Sequence, residues 1–308
     1  MADKQQLISF VIPVYNEEDS LRPLIDRIFS VMINMPYMFE VIFVNDGSTD
    51  GSKKVIDEIK NANENIRSAE FKKNFGKAAA LNKGFKIAKG DFIISMDSDL
   101  QDNPEEIYKL MNKLNEGYDL VTGWKKNRKD PLEKRLASKF FNLLTRLATG
   151  LKIHDFNCGF KAYKKEVVNE IELYGEMHRY IPAIAYWKGF SVAEVEVKHS
   201  PREFGNSKYG IKRYLHGFFD FVTILFLLKF MSKPMHFFGL LGIVSSTTGF
   251  FICFYLFILW LLGEVIGDRP LLMLGVLLII LGFQFISTGL IGELLIYLSK
   301  RNSYSLRP

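Results

Sequence analysis

Two carboxylates and one amide stand close together in a short polar segment that could bind a metal ion. Asp97 and Asp99 are separated by one serine, and Gln101 follows at the same spacing. The segment comes directly after residues 92–96, whose apolar side chains are typical of a buried strand. Carboxylate and amide oxygens are hard ligands that suit Mg²⁺ or Mn²⁺, and such a cation can bridge them to a diphosphate. These residues predict a divalent-cation site, although an acidic turn after a strand is by itself more commonly only solvated.

Polar residues also follow two other predicted strands. Tyr15 and Glu17 come after residues 7–14, and Asp46 comes after residues 40–44. Ligands bind beyond the carboxyl ends of the strands in open α/β sheets, so we expect these side chains near the acidic segment. Each also has a plainer interpretation, because Tyr15 could simply pack and Asp46 could form a turn with the glycine that follows it.

The elements that must position these residues alternate between short β-rich runs and helical stretches. This alternation predicts a mainly parallel α/β sheet. Asn103 and Pro104 predict the start of one helix, as its cap and its first residue. The predicted strands cover residues 7–14, 40–44, 66–71, 91–96 and 118–123, and the predicted helices cover residues 19–32, 52–61, 77–88 and 104–115.

Two uncharged apolar runs lie towards the end of the chain. Phe237–Leu262 has 26 residues and Pro270–Gly292 has 23, so each is long enough to span a bilayer. The short connector contains two acids, whereas basic residues flank the outer ends of both runs, and the positive-inside rule therefore predicts cytoplasmic termini. No signal peptide is expected from the first ten residues. No disulfide is expected between Cys158 and Cys253, which fits a reducing compartment.

Two segments before the spans combine helical apolar periodicity with basic side chains. Residues 131–150 could lie on a membrane or pack on the sheet. Residues 209–230 predict a juxtamembrane helix in the membrane interface, with an ordinary core helix as the alternative. The chain has a net charge of +6, and some of its basic residues lie beside the spans. Anionic lipid headgroups are therefore the expected partner, and nucleic acid is not.

Six short motifs follow one another along the chain. They are VIPVYNEE at residues 11–18, VNDGSTD at 44–50, NFGKAAALNKG at 74–84, DSDLQDNPE at 97–105, NCGFKAY at 157–163 and REFGNSKY at 202–209. The ordered set resembles the family 2 glycosyltransferases of GT-A fold, in the branch of dolichyl-phosphate mannose synthase and bactoprenol glucosyltransferase. Each motif is modest alone, but the combination is specific and covers essentially the whole chain.

The resemblance implies an α/β GT-A (Rossmann-like) catalytic domain that moves a sugar from a nucleotide-sugar to a polyprenyl phosphate with inversion. A phosphate monoester is already ionised near neutral pH, so the reaction could proceed without a strong general base, and the need for one stays open. Asp155 is expected to orient the acceptor or the sugar, or to accept a proton; capping backbone or pairing with a lysine is the alternative. The implied catalytic residues are Asp155, Asp97 and Asp99, the implied metal ligands are Asp97, Asp99 and Gln101, and the implied nucleotide-sugar-binding residues are Pro13, Tyr15, Glu17, Asp46, Lys77, Asp97 and Ser98.

An acceptor phosphate needs cationic side chains, because it must approach a donor that is already anionic, and the arginine fork suits that task. The family's Gly-x-Arg after the fifth strand is Gly123-Trp124-Lys125 here, so the charge is kept but the bidentate geometry is lost. The resemblance implies these acceptor-phosphate-binding residues: Arg135, Ser138 and Arg202 first, then Lys125, Arg179, Ser207 and Lys208.

UDP-glucose is the first expected donor, with GDP-mannose and UDP-GlcNAc as alternatives, and the lipid-linked product would serve cell-envelope glycan or glycoconjugate synthesis. A processive polysaccharide synthase is disfavoured because two spans do not easily enclose a polymer tunnel. The intact acidic segment disfavours a non-catalytic membrane adaptor.

Glycines along both spans allow helices to pack within the chain or in a homo-oligomer. The predicted organisation is a catalytic domain at residues 1–208, a juxtamembrane segment at 209–233 and a two-helix anchor with a cytoplasmic tail at 234–308.

Overall fold

The structure is a computed structural model that describes residues 5–126, 142–147, 149–198, 200, 226, 233–267 and 269–304. The chain divides into two compact units, Met1–Ile224 and Leu225–Pro308. Within the described residues, the first unit contains a seven-stranded sheet with helices and the second contains two long apolar helices.

The strands of the sheet are, in chain order, β1 (Leu7–Val14), β2 (Met38–Asn45), β3 (Ile66–Glu70), β4 (Phe92–Ser95), β5 (Leu120–Trp124), β6 (Lys161–Lys164) and β7 (Val192–Glu196). Their spatial order is β3-β2-β1-β4-β6-β5-β7. Strands β3, β2, β1 and β4 are mutually parallel, and β5 is parallel to β7. Strand β6 runs antiparallel to both β4 and β5, so it joins the two parallel halves into one mixed sheet.

The helices of the first unit connect these strands. They are α1 (Leu21–Met32), α2 (Ser52–Ala62), α3 (Lys77–Ile87), α4 (Ile107–Asn115), α5 (Lys165–Glu170) and α6 (Ile181–Trp187), and residues 142–147 are also helical. A short 3-10 turn, Pro104–Glu106, precedes α4, and Asn103 accepts a hydrogen bond from the backbone of Glu105, as the predicted cap requires.

The fold prediction is confirmed, and its details differ in one instructive place. The elements predicted up to residue 123 are present, with ends that move by at most two residues, and α4 begins with the 3-10 turn. Strands β6 and β7 were not predicted, because each has only four or five residues and includes charged side chains. Residues 131–141, 148, 209–225 and 227–230 of the two predicted amphipathic segments lie outside the described residues.

The core forms on both faces of the sheet because the parallel strands are covered by helices on each side. Ile8, Phe10 and Ile12 of β1 are fully buried. Helix α3 lies close to this strand at Gly84, where a Cβ atom would collide with the side chain of Val11. The central position of β1 therefore rests on continuous apolar packing.

A polar network lies near the amino-terminal ends of β1 and β2. The hydroxyl of Ser9 donates to the Glu40 carboxylate at 2.6 Å, and Arg67 donates to the same carboxylate at 2.8 Å. The backbone of Lys89 adds a third hydrogen bond at 2.7 Å. Burial alone would raise the pKa of Glu40, but these hydrogen bonds outweigh burial and lower the pKa below its ordinary value.

The second unit consists of α7 (Pro234–Leu261) and α8 (Pro270–Tyr304). The stretches Pro234–Leu261 and Pro270–Leu298 have mean hydropathies of 1.9 and 2.3 and bury few of their side chains within the protein, unlike core helices of soluble proteins. They agree with the two predicted spans and fit an integral membrane protein.

Small residues bring α7 and α8 together. A Cβ atom on Gly242 would lie 2.7 Å from the carbonyl oxygen of Gly282, and one on Gly249 would lie 2.6 Å from that of Gly275. The hydroxyl of Ser245 donates to the carbonyl of Leu278 at 2.7 Å. These predicted glycine positions therefore pack the two helices of one chain against each other.

Candidate active site

The carboxyl ends of β1, β2 and β4 meet at one edge of the sheet. Val14 of β1 pairs with Asn45 of β2, and Val11 of β1 pairs with Ser95 of β4. The segments that follow these strands are the ones in which the sequence placed Tyr15, Asp46 and Asp97. The candidate site is therefore assembled where the parallel topology requires it.

Asp46 fixes the loop that leads into α3. Its two carboxylate oxygens accept hydrogen bonds from the backbone amides of Phe75, at 2.7 Å, and Gly76, at 2.9 Å. The next residue, Gly47, has a φ of +68°, and a Cβ atom there would collide with the backbone of Lys73. The Asn-Asp-Gly-Ser turn therefore holds this loop in place. It thereby fixes the start of α3, whose first residue is Lys77.

Lys77 and Asp97 form an ion pair across the site. Burial alone would raise the pKa of Asp97, but the ammonium groups of Lys77 and Lys125 outweigh burial and lower the pKa to about 2. Burial alone would lower the pKa of Lys77, whereas the same ion pair raises it above its ordinary value. Both groups are therefore charged at neutral pH.

The acidic segment after β4 is closed by its own side chains. Asp99 accepts a hydrogen bond from the backbone of Gln101, and Asp102 accepts one from the backbone of Asp97, both at 3.2 Å. Between them, Leu100 is fully buried with a φ of +60°, a backbone conformation that branched side chains disfavour. The segment is therefore a defined loop that holds two carboxylates near the strand end. Ser98 is buried in it.

Lys125 contacts this loop through Asp102. Its ammonium nitrogen is 2.6 Å from Asp102 Oδ1, and 10% of its side chain is exposed. Burial alone would lower the pKa of Lys125, but Asp102 raises it well above its ordinary value. The sequence pointed to Lys125 as a contact for the acceptor phosphate; in the structure its ammonium is engaged by Asp102.

Strand β6 brings a glycine against the acidic loop. A Cβ atom on Gly159 would lie 2.6 Å from Asp97 Oδ1 and 2.7 Å from Oδ2, so only glycine leaves room for this carboxylate. The carbonyl of Gly159 accepts a hydrogen bond from the hydroxyl of Ser95 at 2.8 Å, and the carbonyl of Cys158 accepts one from Lys161. Two buried side chains therefore hold the glycine segment in place.

A small cavity of about 10 Å³ adjoins this segment and is lined by Lys77, Lys161 and His178 among others. Burial lowers the pKa of Lys161 to about 8. Burial lowers the pKa of His178 well below its ordinary value, and the neighbouring cations Lys77 and Arg179 lower it further. His178 is therefore neutral at pH 7, and among the described residues its Nδ1 has no hydrogen-bond partner.

The remaining predicted residues have varied surroundings. Tyr15 is 36% exposed beyond the end of β1, and the backbone of Glu17 donates to the hydroxyl of Ser52 at 2.9 Å. Asp155 is buried and accepts a hydrogen bond from the backbone of Asn157 at 3.1 Å. Arg179 pairs with Glu176 at 2.6 Å. Pro13 belongs to β1, and Arg135, Ser138, Arg202, Ser207 and Lys208 lie outside the described residues.

The arrangement brings together groups that suit a metal-bound diphosphate. Asp97 and Asp99 offer carboxylate oxygens and Lys77 offers a nearby ammonium group. In the described part of the chain, no group of three or more His, Cys, Asp or Glu side chains could hold a metal. A cation bound to Asp97 and Asp99 would therefore need further oxygen ligands, from the amide of Gln101 or from a bound diphosphate.

Sequence reasoning did not single out Asp102, Gly159, Lys161 or His178. The third acid of Asp-Ser-Asp-Leu-Gln-Asp was a signal for Asp102, since it stands within the same short loop. Gly159 was visible only as part of a motif, and its closeness to Asp97 depends on the pairing of β6 with β4. The buried positions of Lys161 and His178 have no comparable sequence signal.

The family model for glycosyl transferase family 2 matches residues 9–172 of the chain. This match spans the strands from β1 to β6 and all the loops described above.

Curated relatives match over almost the full chain. The dodecaprenyl-phosphate galacturonate synthase of Rhizobium johnstonii is 38% identical, with 94% of this chain and 87% of that protein covered. The undecaprenyl-phosphate 4-deoxy-4-formamido-L-arabinose transferase of Proteus mirabilis is 33% identical, with coverage of 94% and 89%.

Solved structures share the fold at lower identity. Glucosyl-3-phosphoglycerate synthase from Mycobacterium tuberculosis, in complex with Mn²⁺ and UDP-glucose, superposes with a TM-score of 0.57 at 18% identity, covering 72% of this chain and 79% of that one. Mannosyl-3-phosphoglycerate synthase from Rubrobacter xylanophilus gives a TM-score of 0.57 at 15% identity, with coverage of 72% and 74%. At this level of identity the likeness establishes the fold alone.

Proposed function

The chain belongs to glycosyl transferase family 2, and from this we propose that it transfers a sugar from a nucleotide-sugar to a polyprenyl phosphate. The observation that supports the donor half is the ion pair of Lys77 with Asp97 beside the Asp97–Asp102 loop. The acceptor half is supported by the two curated relatives, since both are named for a polyprenyl phosphate and both match 94% of the chain.

A divalent cation, Mg²⁺ or Mn²⁺, fits this site. The donor set of Asp97, Asp99 and Gln101 consists of hard oxygens, and the backbone of Gly159 packs against the Asp97 carboxylate without an intervening side chain. We expect these three residues to hold the cation. When bound, it would stabilise the negative charge that develops on the departing nucleoside diphosphate. A Mn²⁺ ion is present in the mycobacterial structure of the same fold, which supports the proposal.

The side chains have separate tasks in the proposed reaction. An oxygen of the acceptor phosphate attacks the anomeric carbon, the bond from that carbon to the diphosphate breaks, and the configuration inverts. The ammonium group of Lys77, which is already charged next to Asp97, would bind the diphosphate. Asp46 fixes the loop from which Lys77 projects, and further nucleoside contacts would come from Pro13, Tyr15, Glu17 and Ser98. Asp155 would orient the acceptor or the sugar.

The acceptor phosphate would bind cationic and hydroxyl side chains on the stretches that precede the spans. Arg135, Ser138, Arg202, Ser207 and Lys208 keep this role on the basis of the family resemblance. The distribution of basic residues supports an active site on the cytoplasmic side of the membrane. The same resemblance supports a separate catalytic domain at residues 1–208, and a homo-oligomer through the glycine faces remains a prediction.

The donor sugar is the part of the proposal most changed by the comparisons. The sequence favoured UDP-glucose, whereas the two relatives are named for galacturonate and for 4-deoxy-4-formamido-L-arabinose. Galacturonate carries a carboxylate and the arabinose carries a formamido group, and glucose has neither. We therefore propose a modified sugar as the donor, with UDP-glucose, GDP-mannose and UDP-GlcNAc as the alternatives in the test.

The test is a donor screen with the purified full-length protein. Each nucleotide-sugar is incubated with undecaprenyl or dolichyl phosphate and Mn²⁺ or Mg²⁺, and the lipid-linked product is detected by mass spectrometry. We expect one donor to give product with the native protein and none with Asp99→Asn. Product that survives Asp99→Asn would remove Asp99 from the metal site. No lipid-linked product with any donor would favour the non-catalytic adaptor.

A further inference from the structure

Lys125 is turned inward at the end of β5. Its neighbour Lys126 is half exposed and pairs at 3.1 Å with Glu196 on the surface, whereas the Lys125 ammonium lies 2.6 Å from Asp102, whose side chain has no exposed surface. Two consecutive lysines therefore have opposite environments. The inward one forms a buried ion pair.

Asp102 links this ion pair to the acidic loop. One of its oxygens faces Lys125, and the other accepts the hydrogen bond from the backbone amide of Asp97. The loop between them includes Leu100 in the left-handed region, which an isolated leucine avoids. The closed shape of the loop thus depends on a contact that holds its two ends together, and the Asp102 carboxylate supplies that contact.

The charge of Lys125 is what allows Asp102 to do this. A carboxylate with no exposed surface is costly unless a cation compensates it, and Lys125 is the cation at bonding distance. Lysine has one ammonium group where the family pattern has the fork of arginine. If Lys125 turned to an acceptor phosphate, the buried Asp102 would lose its partner.

We propose that Lys125 is a positioning residue that acts through Asp102 to hold the Asp97–Asp102 loop in its metal-binding shape, and that it does not bind the acceptor phosphate. The inference rests on the proposed function, because it assigns the loop to a cation. It changes the role that the resemblance implied for this residue. On this assignment, the bidentate geometry that lysine lacks is not needed at this position.

The test compares Lys125→Met with the matched control Lys126→Met in the full-length protein. Mn²⁺ binding is measured without lipid by electron paramagnetic resonance, and amide hydrogen exchange is measured for the peptide that contains residues 97–102. We expect Lys125→Met to weaken Mn²⁺ binding by roughly tenfold to a hundredfold, the range common when a group that supports the metal ligands is removed. We also expect faster exchange in that peptide, an unchanged KM for the lipid phosphate at saturating Mn²⁺, and no effect of Lys126→Met.

A raised KM for the lipid phosphate with unchanged Mn²⁺ binding and unchanged exchange would overturn the inference and restore Lys125 to the acceptor site.

If Lys125→Met does not fold, Lys125→Met combined with Asp102→Asn removes both buried charges and keeps an acceptor for the Asp97 amide. We expect this double variant to fold with Mn²⁺ affinity closer to native than that of Asp102→Asn alone. A double variant whose Mn²⁺ affinity is no higher than that of Asp102→Asn alone would contradict the coupling. Hydrogen exchange requires neither metal nor substrate, so it separates failure of this inference from failure of the proposed function.

Discussion

Gly159 lies so close to the carboxylate of Asp97 that a single added methyl group would come within 2.7 Å of both of its oxygens. The glycine belongs to the segment before β6 and the aspartate follows β4, so the contact exists because these two strands are antiparallel neighbours. On the side of β6, the carboxylate that is proposed to hold the cation packs against backbone with no side chain between them.

Gly159→Ala should displace the Asp97 carboxylate without removing any charged group. We expect Mn²⁺ affinity to fall by roughly tenfold or more, in the range seen when the surroundings of a metal ligand are disturbed. Titration with Mn²⁺ in the absence of lipid measures this effect. Gly267→Ala is a suitable control, because a Cβ atom there meets nothing within 4 Å. Native Mn²⁺ affinity in Gly159→Ala would mean that Asp97 is not a ligand in this position.

Lys77→Met should affect both the diphosphate and the protonation of Asp97. We expect a nucleoside diphosphate to bind roughly tenfold more weakly, about 1.4 kcal/mol, while the bare nucleoside binds unchanged, because a charged hydrogen bond is lost only to the phosphates. Calorimetry with both ligands tests this. The exposed Lys83 on the same helix provides the control, Lys83→Met.

The same variant makes a prediction about pH. In the native protein the pKa of Asp97 is about 2, so the carboxylate stays ionised throughout the range from pH 4 to 7. Without Lys77, Lys125 is the main cation left to oppose burial, so the pKa of Asp97 rises from about 2 towards its ordinary value of 3.8. Mn²⁺ binding by Lys77→Met should therefore weaken between pH 5 and 4 more steeply than native binding. Parallel titration curves would contradict this account of the ion pair.

Glu40→Gln should lower the stability of the first unit at neutral pH. The folded protein holds the pKa of Glu40 below its ordinary value of 4.5, so the ionised form favours folding above about pH 4.5, and this contribution is lost as the pH falls through the folded pKa. We expect a loss of about 1–3 kcal/mol at pH 7 that shrinks towards pH 3.5. Thermal unfolding across this range provides the measurement. Glu58→Gln, which removes a surface pair with Arg22, should change little.

Gly282→Leu should separate the two apolar helices. A Cβ atom at this position would collide with the hydroxyl of Ser246 and lie 2.7 Å from the carbonyl of Gly242, so a larger side chain cannot fit. We expect a loss of about 1–3 kcal/mol in the stability of the helix pair, a typical cost of overpacking. Thermal unfolding in detergent measures it. Met273→Leu, at a position 78% exposed, is the control for a change that leaves the contact intact.

The sequence was most informative where a strand is followed by a polar motif. Strand β1 begins and ends at the predicted residues, and the polar segments after β1, β2 and β4 lie at one edge of the sheet. Both signals are local, since a buried strand is a continuous apolar run and the carboxyl ends of parallel strands share an edge. The two apolar helices were equally visible, because length and absence of charge are enough to identify them.

The pairing partners within the site were not visible in the sequence. Lys125 could be read as a cation available to a ligand, because nothing in its neighbourhood along the chain indicates that it pairs with Asp102. Likewise, the carboxylate of Asp46 looked free for a nucleoside, whereas it accepts two backbone hydrogen bonds from the loop before α3. Such contacts join residues far apart in the chain and depend on the three-dimensional arrangement of loops.

The antiparallel strand β6 also has a consequence for the order of events during synthesis. Residues 96–160 separate β4 from β6 in the chain, so the acidic loop leaves the ribosome well before Gly159 and Lys161 can support it. Pairing over so long a separation is slow compared with local folding. We therefore expect the nascent chain to form β1–β4 early and to complete the proposed cation site only when β6 inserts. The apolar helices follow in the chain, so all seven strands of the sheet are synthesised before the two candidate membrane spans.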